Sequence, residues 1–251
     1  MSMLISNYEQ EVLDEYEEYQ TCEEFTQRDS VVNSSVIHHR SWLDTYYRNT
    51  YCTNYSITEQ QHTLAQLDRN NLVVPNQWET FEQYWGNVYQ GLLASHSDRL
   101  IELQDSLFFV GQQDELNRLD FADMVVSFIQ DIPYSYIMIE SCDAAGDTPC
   151  EPNQRFGILS PVEFLYTLKG DCDTRTTVLY KFLKHFGYDV KVVVSSEYAH
   201  AMLAINLPIS GDFINHRGQR YYLWETTNTG WQPGMLSADM KNTNYWKIAL
   251  N

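Results

Sequence analysis

The chain has 251 residues, which is enough for one large domain or two small ones. Its 34 acidic residues outnumber its 16 basic ones and give a formal net charge of -18. This balance argues against nucleic acid as a partner, because binding phosphates requires clustered Lys and Arg, and against docking on anionic lipid. No stretch approaches the roughly 18 consecutive apolar residues of a membrane-spanning helix, so we expect no membrane span.

Residues 1–30 carry a large share of the negative charge, with nine acids and one base. Val12, Tyr16 and Tyr19 recur at helical spacing, which predicts a solvent-exposed helix. An acidic arm that binds a partner is the alternative interpretation. Residues 1–7 have neither a positive charge nor a long apolar run, so we expect no signal peptide in the chain and leave the compartment open.

Residues 31–57 are rich in Asn, Ser and Thr, and this composition predicts mostly loop. Beyond them, apolar residues recur every three or four positions, which is typical of helices that bury one face. We expect the first helix to bury Leu64 and Leu67 together with Ile57, and Pro133 to end the last one. The predicted helices cover residues 58–69, 75–92, 98–107 and 121–130.

The five cysteines include two, Cys142 and Cys150, in a long loop predicted for residues 131–160. Gly146 and Pro149 lie between them, so a disulfide is possible, which would imply an oxidising compartment and favour an exported protein. Two free thiols are the alternative. The odd number of cysteines leaves at least one unpaired, and their spacing matches no zinc site, so we expect no metal.

Residues 116–251 are predicted to form an α+β region, whereas residues 1–115 are predicted to form a mostly helical, acidic one. Within the second region, Ser160, Pro161 and Glu163 are the residue types of a capped helix start. The predicted strands cover residues 188–195, 199–206, 220–226 and 244–250.

Another helix is predicted to begin at Asp171, whose side chain can cap it, after Gly170 ends the preceding helix. Cys172 then takes the first helical position, where unpaired backbone N–H groups and the helix dipole favour a thiolate. The neighbouring Asp173 opposes the thiolate, so a nearby proton acceptor would help. We expect an exposed thiol that reacts at neutral pH.

The predicted strands supply a proton acceptor and an orienting carboxylate. His200 lies in the second strand, and Glu225 lies among large apolar residues in the third. A buried carboxylate needs a partner, and an imidazole N–H on an adjacent strand would supply one. Cys172, His200 and Glu225 therefore fit the roles of nucleophile, general base and orienting group.

Each of these residues also has a structural interpretation. A lone cysteine is usually a small buried apolar residue, and a lone histidine in a strand is usually a core residue. Glu225 has two possible salt-bridge partners, Arg220 and Lys247. If Glu225 is structural, Asp212 is the next candidate for the acid.

The segments around the three residues resemble the transglutaminase-like superfamily of cysteine enzymes. Residues 170–175, Gly-Asp-Cys-Asp-Thr-Arg, are similar to its Gly-x-Cys motif at a helix start. Residues 198–202 resemble its histidine strand, and residues 222–227 resemble its acid strand. The resemblance covers about residues 120–235, and the order Cys, His, acid matches. It departs from the family in having Glu225 where the acid is usually Asp.

The resemblance implies a papain-like catalytic core in which a cysteine at a helix N-terminus packs on an antiparallel sheet. It also implies acyl transfer on amide bonds through a thioester on Cys172, assisted by His200 and Glu225. Hydrolysis of a peptide or amide, as by a cysteine protease or amidase, is the expected reaction, and transfer to a second amine is possible. The implied partner is a protein or peptide substrate, without a cofactor.

The family also tends to use an upstream side chain as an oxyanion donor. Tyr136 is the candidate here, with Gln130 and Gln154 as rivals. Two alternatives to an enzyme stay open: an inactive fold of the same kind that binds a protein or peptide, and a scaffold that uses the acidic residues 1–30. The oligomeric state is also open.

Overall fold

The computed structural model describes residues 28–32, 34–75, 77–94 and 99–251. It contains both helices and sheets, which confirms the mixed α+β class. The helix expected around Tyr16 lies outside the described residues. Within the described part of the chain, no helix is long and apolar enough to cross a membrane. The helices are α1 Glu59–Asn71, α2 Phe81–Ala94, α3 Ile101–Gln113, α4 Arg118–Gln130, α5 Pro161–Thr167 and α6 Cys172–His185.

The segment 31–57 forms most of an antiparallel sheet, so the loop prediction for it is wrong. The strands, in this order, are β1 Arg28–Val32, β2 Ser35–Leu43 and β3 Thr50–Thr58. Polar groups of β2 find partners in the core: the Trp42 indole N–H donates to the Met124 carbonyl at 3.0 Å, and Arg40 pairs with Asp131 at 2.8 Å. These tertiary contacts outweigh the turn preference of the Asn, Ser and Thr residues.

Helix α1 lies where it was predicted, but of the three residues expected to be buried only Ile57 is, and it lies in β3. Leu64 and Leu67 are 40% and 50% exposed, whereas Arg69 is 3% exposed. Arg69 donates to the equally buried carboxylate of Glu163 in α5 at 2.9 Å. The buried face is therefore chosen by an ion pair between two helices. Trp78, expected inside the second helix, precedes α2 and is half-exposed.

The long loop at residues 131–160 contains a short parallel pair of strands. These strands are β4 Tyr136–Ile137 and β5 Cys150–Glu151. The disulfide between Cys142 and Cys150 is confirmed, with 5.9 Å between the Cα atoms. Cys52 is also disulfide-bonded, and Cys172 is the free cysteine of the described residues.

A five-stranded antiparallel sheet occupies the C-terminal part. Its strands are β6 Val190–Ser195, β7 His200–Ile205, β8 Phe213–His216, β9 Gln219–Trp224 and β10 Lys247–Leu250. They lie in the order β10-β6-β7-β9-β8. Strand β8 was not predicted, because four residues are too few to show an alternating pattern. Helix α6 packs on β7, and one apolar core runs from Trp42 of β2 to Trp224 of β9.

The two predicted helix caps in this part are confirmed. Ser160 accepts a hydrogen bond from the Glu163 N–H, and the Glu163 carboxylate accepts one from the Ser160 N–H. Asp171 accepts from the Thr174 N–H at 3.1 Å. Each cap satisfies an N–H group that the first helical turn leaves unpaired.

Gly170 was predicted to end helix α5, but a different residue forms the end of the helix. Helix α5 ends at Leu168, which adopts the left-handed conformation with φ of 53°. Gly170 is instead needed for close packing, because a Cβ atom there would lie 2.6 Å from the Phe164 ring. The turn into α6 is held by the Gly170 carbonyl, which accepts from the Ser135 N–H at 3.2 Å.

Candidate active site

Cys172 is the first residue of α6, directly after the Asp171 cap. Strand β7 lies against this end of the helix, and the backbone N–H of Ala201 interacts with Sγ of Cys172. One turn further along α6, the Thr176 hydroxyl donates to the Ala201 carbonyl at 3.5 Å. The cysteine therefore lies next to the strand residue that follows His200.

The thiol of Cys172 is buried, and its surroundings favour the protonated form. Burial raises its pKa well above the usual range, and the charges of Asp173 and Asp171 raise it further. Sγ donates to Oδ2 of Asp173 at 3.6 Å. The expectation of an exposed thiol that ionises at neutral pH is therefore wrong. The helix N-terminus favours the thiolate, but burial and two adjacent carboxyl groups outweigh that effect.

The two aspartates that flank Cys172 are also buried and perturbed. Burial and the charge of Asp173 raise the pKa of Asp171 to about 7. Burial raises the pKa of Asp173 too, although the Tyr89 hydroxyl and the thiol donate hydrogen bonds to it. Each negative charge in this dry region disfavours the next one, so the three acidic groups carry less than their full charge at neutral pH.

His200 and Glu225 form an ion pair on the sheet. Nε2 of His200 lies 2.8 Å from Oε2 of Glu225. Oε1 of Glu225 accepts from the Thr226 N–H at 2.8 Å and from the Thr227 N–H and hydroxyl at 3.0 and 2.8 Å. Burial opposes both charges, but the hydrogen bond and the mutual attraction raise the pKa of His200 and lower the pKa of Glu225. The second ring nitrogen of His200, Nδ1, makes no hydrogen bond with Glu225.

The structural alternatives for Glu225 are not realised. Arg220 stacks over an aromatic ring, and Lys247 donates to a backbone carbonyl. Asp212, the next candidate for the acid, lies 4.0 Å from the exposed Lys241. The carboxylate that contacts the imidazole is therefore the one selected from the sequence.

Tyr134, rather than the predicted Tyr136, is the aromatic residue beside the cysteine. The backbone N–H of Cys172 interacts with the Tyr134 hydroxyl, and burial together with the neighbouring Cys172 raises the pKa of that hydroxyl. Tyr136 is 39% exposed and packs edge-on against Tyr134, with 5.4 Å between ring centroids. The two tyrosines lie in a segment with little regular structure, so no periodicity could have separated them.

The rival glutamines both use their amide groups elsewhere. Nε2 of Gln130 donates to the backbone carbonyls of Glu225 and Trp231, at 2.7 and 3.0 Å. Gln154 accepts from the Arg69 guanidinium at 2.7 Å and donates to a backbone carbonyl of its own loop. Both N–H bonds of Gln130 are therefore occupied, as is one of the two N–H bonds of Gln154.

Arg175 is a site residue that the sequence interpretation missed. Its side chain is fully buried and donates to four backbone carbonyls at 2.6 to 2.9 Å: those of Gly170, Ile129, Ile132 and Pro133. Burial lowers its pKa to about 10, and the charges of Tyr134 and Asp171 oppose that shift. Arg175 joins the start of α6 to the end of α4 and places a positive charge beside the cysteine. In the sequence, apolar residues follow Arg175 after three, four and seven positions. This spacing places the cation on the buried face of the helix and is the signal that could have identified it.

A cleft of about 450 Å³ opens beside the imidazole of His200. Residues 130–134 line one wall, and residues 227–229 line the other. The first wall includes Tyr134, and the second includes Thr227, which holds Glu225. In the described residues, no group of three or more His, Cys, Asp or Glu side chains could hold a metal ion.

Comparisons of the chain with protein-family models, with curated proteins and with solved structures find no match. A functional assignment therefore depends on the residues and geometry of this site.

Proposed function

We propose that the protein is a transglutaminase-like cysteine enzyme that transfers the acyl group of amide bonds through a thioester on Cys172. The observation that carries the proposal is the His200–Glu225 ion pair at the strand against which the cysteine packs. A free thiol at a helix start, an oriented imidazole and a carboxylate fixed by three donors match nucleophile, base and orienting group. Hydrolysis of a peptide or amide is the favoured reaction.

In the first step, Sγ of Cys172 attacks the amide carbonyl carbon while its proton passes to Nδ1 of His200. The backbone N–H of Cys172 and the Tyr134 hydroxyl stabilise the oxyanion. The C–N bond then breaks, and His200 returns the proton to the leaving amine, which leaves the thioester. Water gives a proton to His200 and attacks the thioester. The C–S bond then breaks, and His200 returns the proton to Sγ, which releases the carboxylic acid and restores the thiol. Glu225 stabilises the imidazolium in both halves of the cycle.

The raised pKa of Cys172 fits a route in which the thiol gives up its proton during the attack. The raised pKa of His200 sets a condition, because only the neutral ring can accept that proton. Activity should therefore increase as the pH rises through the pKa of His200, which lies above the 6.5 of an ordinary histidine. The Cys142–Cys150 disulfide favours an oxidising compartment for this chemistry.

Hydroxylamine tests the thioester directly, because it converts a thioester into a hydroxamate. With a set of peptide anilides, we expect the wild-type protein to release aniline and form hydroxamate. Cys172→Ala and His200→Ala should do neither, whereas His185→Ala, at the exposed far end of α6, should keep the activity. Hydroxamate formation that persists in Cys172→Ala would refute the proposal.

An inactive module that binds a protein or peptide is the second candidate, and the burial of Cys172 favours it. A thiol that is 7% exposed and has a raised pKa is a poor nucleophile by itself. Peptide binding that is lost on replacing cleft residues, in a protein that forms no hydroxamate from any anilide, would support this candidate over the enzyme.

A further inference from the structure

Gln130 lines the cleft that contains His200, and its side chain carries an unsatisfied polar atom that is shielded from solvent. The side chain is 2% exposed, and its Oε1 atom has no hydrogen-bond donor among the described residues. Gln130 and His200 both line the cleft. Buried polar atoms are paired in most proteins, so an unpaired acceptor on a side chain that lines a cleft offers a partner to a ligand donor.

The orientation of the Gln130 amide is determined by its partners. Nε2 donates to the backbone carbonyls of Glu225 and Trp231, at 2.7 and 3.0 Å. A flipped amide would place an oxygen against two carbonyl oxygens, which have no hydrogen to donate. Oε1 is therefore the unpaired atom, and it can only accept.

The same hydrogen bonds tie Gln130 to the reacting groups. One of the two carbonyls belongs to Glu225, whose side chain orients His200. The position of Oε1 is thus linked to that of the imidazole, which must reach the leaving nitrogen in order to protonate it. Donation by Nε2 to two carbonyls also polarises the amide and makes Oε1 a stronger acceptor.

We propose that Oε1 of Gln130 accepts a hydrogen bond from the N–H of the amide that is cleaved. This inference rests on the proposed function and adds a substrate class to it: amides with an N–H on the leaving nitrogen, in preference to esters. The leaving oxygen of an ester has no hydrogen and would place a second acceptor against Oε1. A site built around a buried acceptor discriminates against analogues that lack the matching donor.

The test compares peptide anilides with phenyl esters of the same acyl group. We measure kcat/KM for both substrates in the wild-type protein and in Gln130→Met, which keeps the length of the side chain and removes the acceptor. The amide-to-ester ratio within each protein cancels the intrinsic reactivity of the ester and any general damage to the site. We expect that ratio to fall about ten- to a hundredfold in Gln130→Met.

An unchanged ratio, with both substrates losing activity equally, would overturn the inference and make Gln130 a structural clamp. Gln104→Met, in an equally buried glutamine of α3, is the matched control and should leave the ratio unchanged. If Gln130→Met does not fold, Gln130→Asn withdraws the acceptor by one methylene, and the same fall is expected. Turnover that survives in Cys172→Ala would end both proposals. Turnover that needs Cys172 but shows no change in ratio would end only this one.

Discussion

The two halves of the candidate site have opposite effects on the charge of the side chains they contain. On the sheet, the Glu225 carboxylate lies 2.8 Å from the His200 imidazole and stabilises its charged form. At the start of α6, Cys172 lies between Asp171 and Asp173, and burial raises the pKa of all three groups. The sheet half therefore favours the charged form of the base, whereas the helix half favours the neutral form of the nucleophile.

This difference indicates how the reactivity of the thiol is controlled. A protonated, buried thiol resists oxidation and random alkylation, which depend on the thiolate and on access. It becomes a nucleophile only when a neutral imidazole and a substrate are both in place. Changing the charges of each half separately should therefore alter activity, pH dependence and stability in different ways.

Removal of the nucleophile should have the largest effect. We expect Cys172→Ala to lower kcat by about 10⁴-fold or more, as for other nucleophiles of catalytic triads. Because the side chain is 7% exposed, we also expect a loss of stability of about 1 kcal/mol, which is more than the replacement of an exposed thiol would cause. Anilide hydrolysis and thermal unfolding on the same sample measure both. Unchanged turnover in the folded variant would exclude a cysteine mechanism.

Tyr134→Phe should come next, because it removes a hydroxyl beside the Cys172 N–H. Loss of one oxyanion donor typically lowers kcat by about 10²- to 10³-fold. Tyr136→Phe is the matched control and should change kcat less than about threefold, since its ring is half-exposed. Equal losses in steady-state assays of the two variants would show that the Tyr134 hydroxyl has no special role.

Glu225→Gln tests the sheet half. The amide can still accept from Thr226 and Thr227, but the charge that stabilises the imidazolium is gone. We expect kcat to fall about ten- to a thousandfold. Because Glu225 raises the pKa of His200, its loss should also move the acid limb of the pH–rate profile to lower pH. Asp212→Asn should change neither, and an unmoved limb with full activity per folded molecule would make Glu225 structural.

Asp173→Asn tests the helix half. The asparagine can still accept from Tyr89, but the charge that raises the pKa of the Cys172 thiol is removed. Rates of alkylation by iodoacetamide, measured against pH, should shift to lower pH by about one unit or more. Asp143→Asn, in the exposed part of the disulfide loop, should leave the profile unchanged. A profile that does not move in Asp173→Asn would mean that the charge of Asp173 does not contribute to the pKa of the thiol.

Asp171→Asn should have the smallest effect, on stability. The folded state raises the pKa of Asp171 from 3.8 to about 7, so this carboxyl group favours folding most below pH 4. That contribution is lost as the pH rises through 7. Asparagine keeps the helix cap without the charge. We expect a Tm about 2–4 °C above wild type at pH 8, from about 1 kcal/mol, and a smaller gain at pH 4. A gain that does not change with pH would contradict the assignment.

The sequence by itself determined the features that depend on near neighbours. The caps at Ser160 and Asp171, the position of Cys172 at a helix start, the strand of His200 and the strand that ends just before Glu225 follow from residue types a few positions apart. For the same reason, a helix was predicted at each of α1 to α4, although the second was predicted to begin six residues early and the third to end six residues early.

Only the tertiary structure decided the features that depend on distant partners. The polar segment 31–57 forms strands because its side chains bond to α4 and the loop beyond it, and Tyr134 replaces Tyr136 because of where the chain meets α6. The thiol of Cys172 is neutral because burial outweighs a helix N-terminus that the sequence did show. The solvation and the charge of a site depend on all the groups that pack around it, including groups that are distant in the sequence. A local pattern of residues therefore cannot predict them.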